Sequence, residues 1–373
     1  MNNEAISIQL LKRKPIVLQH YSKKQINNGG PATGALLLIN SYMKKHYEFP
    51  EMNEYFESDI FKIKTFKYFY QTIKSVNPDI IHIRGIHIEG FLGVLAAKLQ
   101  KKKVVMSVHG VYIDVLKKNT LKRFLFNHFF EAYALKKADL VYCVCKYATQ
   151  RSFIQKHSRN LYGYIYNAAP DYDEFLKSNS KKDLRSSFNL NNNDIVISIV
   201  SRVTVDKGFE VLSSAIPSII ERNHKIKFLV AGDGPYLTKF KNSISLYINN
   251  GYVKCIGKTS NVKDVLFASD IFVFPTLHEN LSNSLLEACS IGLPIIATNV
   301  GGNPEIITSN KNGLLIEPNN PDELVNAVLR LSSDSNLQIS FSESTKEHIE
   351  KNFSQKRIFN QLENMYNYLL NQQ

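Results

Sequence analysis

Arg202 and Lys207 stand five positions apart in Ser201-Arg202-Val203-Thr204-Val205-Asp206-Lys207-Gly208, after a β-branched run and before a stretch of helical spacing. A guanidinium is a forked donor to phosphate oxygens, and an ammonium adds a mobile point charge. A helix start adds backbone N–H groups and a partial positive charge. The segment reads as a candidate polyphosphate site. Farther on, Glu279 and Glu287 bracket Asn280-Leu281-Ser282-Asn283-Ser284-Leu285-Leu286. Ser282 or Asn283 is a natural N-cap, which places Glu279 before a helix and Glu287 about one turn inside it. Two carboxylates flanking a phosphate-binding helix start suit a sugar nucleotide, because each accepts bidentate hydrogen bonds from vicinal hydroxyls.

Other loops follow candidate strands. Val230-Ala231-Gly232-Asp233-Gly234-Pro235 lacks the third glycine of a dinucleotide fingerprint, so it reads either as close backbone approach to a ligand or as a tight turn. Gly257-Lys258-Thr259 could line a base pocket. In the N-terminal half, Asn28-Gly29-Gly30-Pro31 precedes a helical stretch from Ala35 to Tyr42; Pro31 suits a first helical turn, and the glycines admit a phosphate. His109 ends a strand in Val108-His109-Gly110, while His82 and His87 read as core or cleft-edge residues without a role. The four cysteines, Cys143, Cys145, Cys255 and Cys289, form neither a disulfide framework nor paired zinc knuckles.

As a set, Ser-Arg-x4-Lys-Gly, Ala-Gly-Asp-Gly-Pro and Glu-x7-Glu resemble glycosyltransferase family four, the retaining GT-B enzymes. Gly292 to Thr298, Val300-Gly301-Gly302-Asn303-Pro304-Glu305 and Asn312-Gly313-Leu314-Leu315 extend the resemblance in order from Ile195 to about Arg330. The first half matches more loosely, with Pro31-Ala32-Thr33 in place of the commoner small-acidic continuation. The resemblance implies that Arg202 and Lys207 hold a donor diphosphate, Glu287 the ribose hydroxyls and Glu279 the transferred sugar. Asn280, Leu281, Ser282 and Asn283 would complete that site, and Gly232 would border it. Gly257, Lys258 and Thr259 would bracket the base, Gly29 and Gly30 would touch diphosphate and acceptor, and His109 would lie near the reacting sugar. It further implies a UDP- or GDP-linked donor, a lipid-linked or glycan acceptor of a surface polysaccharide, and neither metal nor other cofactor. A soluble acceptor, or sugar-nucleotide binding without turnover, is the alternative.

The elements that would position these residues are α/β. Pro15–His20, Asp79–Ile83, Lys103–Val108, Asp139–Val144 and Leu161–Tyr166 form one strand series. Ile195–Val200, Ile226–Ala231, Tyr252–Ile256, Asp270–Phe274, Pro294–Thr298 and Gly313–Ile316 form a second. The expectation is a GT-B arrangement of two Rossmann-like, doubly wound domains facing across a cleft. Residues 1–175 form the acceptor side, joined by a crossover helix in 354–373, and residues 190–353 form the nucleotide-sugar side. The polar stretch from Ser178 to Asn193 reads as a linker. The 373 residues, 44% hydrophobic and 21% charged, exclude a disordered or fibrous chain.

Charge divides unequally. Residues 1–170 carry 26 Lys and Arg against 11 Asp and Glu, and the remainder 20 against 22, so a half of +15 faces a half of −2 within the total of +13. Such asymmetry suits an anionic partner. No nucleic-acid-binding signature accompanies it. Lys117, Lys118, Lys122 and Arg123 before Phe124, Leu125, Phe126, Phe129 and Phe130, and the mixture of lysines and aromatics from Lys62 to Lys74, suit an anionic membrane surface. With no signal-peptide core and no apolar run of about 20 residues, the expected place is the cytoplasm, peripheral on the inner face of the cytoplasmic membrane.

Overall fold

The computed structural model describes residues 13–22, 30–53, 62–111 and 126–372, with backbone alone for 126–128. Two parallel six-stranded sheets organise them. The first comprises β1 (Val17–His20), β2 (Glu51–Met52), β3 (Ile80–Arg84), β4 (Lys103–Val108), β5 (Leu140–Cys143) and β6 (Leu161–Tyr164), in the order β2-β1-β3-β4-β5-β6. The second comprises β7 (Ile195–Val200), β8 (Ile226–Ala231), β9 (Val253–Gly257), β10 (Ile271–Phe274), β11 (Ile295–Thr298) and β12 (Leu314–Ile316), in the order β12-β11-β10-β7-β8-β9. Helices cover both faces, so strands such as β3, β10 and β11 are buried along their whole length, and β10 reads as a continuous apolar run, whereas β3 buries His82 and Arg84.

Strand order reverses between β1 and β3 in the first sheet and between β7 and β10 in the second. The loops that leave the carboxyl ends of these strands therefore open onto a crevice, the position at which doubly wound sheets take ligands. The stretch from Ser178 to Asn193, whose composition reads as a linker, is partly helical. It contains the helix Lys181–Ser187, whose one buried residue, Arg185, donates to the Ala268 and Asn192 carbonyls at 3.0 and 2.9 Å and pairs with Asp270. A helix anchored through a satisfied cation leaves no apolar stripe to read.

The last helix, Gln355–Asn371, buries Ile358, Phe359, Leu362, Met365, Tyr366 and Leu369 against Val17, Ile80, Val105 and Leu140 of the first sheet. The helix Ile63–Val76 turns the aromatics of the Lys62–Lys74 segment toward the core. Phe69 is buried and Phe66, Tyr68 and Tyr70 pack on the core, leaving Lys64, Lys67, Lys74 and Ile63 to face out. The basic run from Lys117 to Leu125 lies outside the described residues.

Candidate active site

The loop after β7 is seated by its neighbours. Val203 N donates to Asp233 O at 3.0 Å and Tyr236 N to Val203 O at 3.1 Å, while Leu277 N and Thr276 Oγ1 both donate to Asp206 O, at 2.8 and 3.0 Å. Gly232 (φ +142°) permits the first of these approaches: a Cβ there would stand 1.8 Å from Ser201 O. The turn alternative thus accounts for Gly232, whose N–H also bonds Gly257 O at 2.8 Å. The clamped loop holds Lys207 half-buried and leaves Arg202 exposed, with no side-chain partner among the described residues. Lys258 is exposed beyond Gly257, and Thr259 Oγ1 accepts from Asn261 N at 3.0 Å.

Lys207 Nζ meets Glu279 Oε2 at 2.8 Å, with the two side chains 11% and 18% exposed. Polyphosphate and sugar residues inferred separately from sequence are therefore in contact. The loop carrying Glu279 is braced from behind by Gly301 (φ +56°), where a Cβ would lie 1.7 Å from Glu279 O. Asn280 and Leu281 are buried, and Ser282 caps the helix Asn283–Ile291 by accepting from Leu285 N at 3.2 Å. Asn280 Nδ2 reaches His109 O in the first domain at 3.2 Å, while its Oδ1 is buried without a partner among the described residues. Asn283 faces Gly30, with Nδ2 3.5 Å from Gly30 O, and its Oδ1 accepts from Asn167 Nδ2 at 2.9 Å. Gly29 lies outside the described residues.

Glu287 sits one turn into that helix, where burial pushes its carboxyl up to about 7. The neighbouring Tyr172 phenol is pushed up as well, by burial first and then by Glu287. His109 is held down to about 3 by burial and by the Arg84 cation, and its Nε2 lies 3.0 Å from Ser107 Oγ. It is a neutral imidazole at physiological pH. His82 is fully buried, with Nδ1 2.6 Å from Tyr366 Oη and Nε2 3.1 Å from Tyr142 Oη; His87 Nδ1 lies 3.1 Å from Glu131.

Three contributors escaped the sequence reading. Asn167 stands in no motif of the sequence, yet its Nδ2 donates to Asn283 Oδ1. Glu305, in the Gly-Gly-Asn-Pro-Glu segment, spans the two sheets: its carboxylate accepts from Lys146 N and Tyr147 N, both at 2.7 Å. Arg84 ends β3 and is buried, with Nη1 donating to Gln19 Oε1. Asn167 and Glu305 matter through pairings across the cleft, and sequence spacing carries no signal for those.

Comparison with known proteins fits this geometry. The family profile for glycosyl transferases group 1 matches residues 180–348, and that for glycosyltransferase family 4 matches residues 47–158. The chain is 27% identical over 302 residues to the UDP-Gal:alpha-D-GlcNAc-diphosphoundecaprenol alpha-1,3-galactosyltransferase of Escherichia coli, covering 80% of this chain and 77% of that one. To the capsular polysaccharide biosynthesis glycosyltransferase CapM of Staphylococcus aureus it is 25% identical over 293 residues, 75% of this chain and 74% of that one. Among solved structures, a glycosyltransferase from Rickettsia africae aligns with a TM-score of 0.75 at 21% identity, over 97% of this chain and all of that one. Anabaena HepE in complex with UDP-glucose aligns at 0.76 and 18%, over 95% and 99%. The fold is GT-B. The chain belongs to the group 1 glycosyltransferases of family four, and it is a glycosyltransferase.

Proposed function

We propose that this enzyme is a metal-independent, retaining hexosyltransferase that moves a sugar from a UDP- or GDP-linked donor to a lipid-linked glycan in bacterial surface-polysaccharide synthesis. The ion pair between Lys207 and Glu279 carries this reading. It joins a phosphate ligand to a hydroxyl acceptor at the switch point of the second sheet, and Asn280 links the same loop to His109 opposite. The orphaned Asn280 Oδ1 is suited to a sugar hydroxyl. Arg202 and Lys207 take the diphosphate, Glu287 the ribose, Glu279 the transferred sugar, and Gly257 to Thr259 the base. The E. coli relative, named for a UDP-linked donor and a diphosphoundecaprenol acceptor, supports the substrate classes.

As the bond from the anomeric carbon to the β-phosphate breaks, negative charge grows on the departing oxygen. Arg202 and Lys207 stabilise it directly. The acceptor hydroxyl attacks from the leaving-group side and gives its proton to that phosphate oxygen, so configuration is retained. Lys207→Ala and Glu279→Gln are expected to abolish transfer while circular dichroism shows an intact fold. Full activity in either variant would overturn the assignment.

A further inference from the structure

Arg84 is the last residue of β3, at the switch point of the first sheet, yet none of the roles above uses it. Its side chain is buried, 7% exposed, and among the described residues its one side-chain bond runs from Nη1 to Gln19 Oε1 at 2.6 Å. No carboxylate pairs with it among the described residues. Arg84 acts on His20, His82 and His109, all pushed below the usual imidazole range by burial first and Arg84 second, and on Tyr21, Tyr142 and Tyr366, while the Glu51 and Glu89 carboxylates stand one residue further out, on Tyr21 and His20. His20 is 2% exposed, and its Nδ1 is buried without a hydrogen-bond partner among the described residues.

A buried cation lacking a counter-charge is unfavourable unless an anion completes it, and a guanidinium is the side chain best shaped to hold a phosphate. His109 follows the adjacent strand β4 and meets Asn280 through its carbonyl, so the carboxyl edge that carries Arg84 is the edge facing the donor loop. Each sheet thus presents cationic chemistry at its own switch point: Arg202 and Lys207 on one side, Arg84 on the other.

We infer that Arg84 is the anchor of an anion subsite on the first domain's side of the cleft, and that it takes the diphosphate of the lipid-linked acceptor. The inference rests on the acceptor class proposed above. A phosphate could also come from the donor nucleotide, and the test separates the two sources.

The probe is inorganic diphosphate, read by thermal denaturation in an Arg202→Ala/Lys207→Ala background that lacks the donor-side cations. Millimolar diphosphate is expected to raise the unfolding midpoint there, and adding Arg84→Met to remove the rise. In the otherwise unaltered protein, Arg84→Met is expected to hold or raise the ligand-free midpoint, because an apolar side chain of similar length replaces an unbalanced buried charge. The shift induced by UDP should survive. No diphosphate shift in the double-alanine background overturns the subsite, and so does a shift that persists after Arg84→Met. A fall in the ligand-free midpoint makes Arg84 a structural residue and also overturns it. Loss of the UDP shift assigns the anion to the donor and overturns the acceptor role. Because donor cations are absent from the diphosphate arm, a failure of the donor reading shows only in the UDP arm.

Discussion

At the scale of single residues, Glu287 ties ligand chemistry to stability. Its carboxyl ionises near 4.5 in the unfolded chain and near 7 in the fold, so the folded protein holds this proton more tightly. The stabilisation is complete below about pH 4.5 and is lost as pH rises through about 7. A shift of this size corresponds to about 3 kcal/mol. Glu287→Gln should therefore be more stable than wild type above pH 7 in the absence of nucleotide, with the difference vanishing near pH 4.5. Urea midpoints at pH 5 and pH 8 measure it, and parallel pH profiles for the two proteins would refute it. A carboxylate that accepts ribose hydroxyls must be ionised. UDP binding at pH 7 should then release up to about half a proton, seen as buffer-dependent heat in calorimetry.

At the scale of elements, Glu305 connects the halves. The helix Lys146–Thr149 has no side-chain cap of its own, and Glu305 from the far side accepts its first two N–H groups at 2.7 Å. Charge-assisted bonds of this kind contribute roughly 1.5–3 kcal/mol. Glu305→Ala is expected to lower unfolding free energy by about 2 kcal/mol and to weaken transfer by loosening the cleft. An unchanged urea midpoint would show that the halves are not joined there. Glu305 also marks where sequence reading stops. β4, β7 and β8 coincide with the predicted runs because a strand buried on both faces is predominantly apolar and β-branched, with few polar residues to break it. β2 has two residues and leaves no period to detect. Lys207, Glu279 and Ser282 were legible because their loops carry distinctive spacing. Asn167 and Arg84 were not, since one gains its meaning from a residue 116 positions away and the other from having no carboxylate paired with it among the described residues.

At the scale of the whole molecule, the charge asymmetry remains the strongest pointer to a surface. Among the described residues no helix is long and apolar enough to cross a membrane. The first half nevertheless carries +15. Lys64 and Lys67 face out beside Ile63, which is 66% exposed, and Phe129 is 57% exposed. Each surface cation adds about 1 kcal/mol of attraction to an anionic bilayer, within a screening length near 8 Å at physiological salt. The protein should sediment with vesicles containing anionic lipid at low salt and be released as salt rises. Equal partition onto neutral vesicles, or none onto anionic ones, would contradict peripheral attachment.

The cleft between the two sheets is the proposed donor site, and nucleotide binding probes it most directly. Thermal unfolding with UDP, GDP and ADP should show one uracil or guanine nucleotide raising the midpoint, by about 2.7 kcal/mol of stability at 100 times its dissociation constant. Lys207→Ala should remove the effect. If no nucleotide shifts the transition at millimolar concentration, then Arg202, Lys207 and Glu287 do not form a donor site in this protein, and the proposed transfer reaction is contradicted.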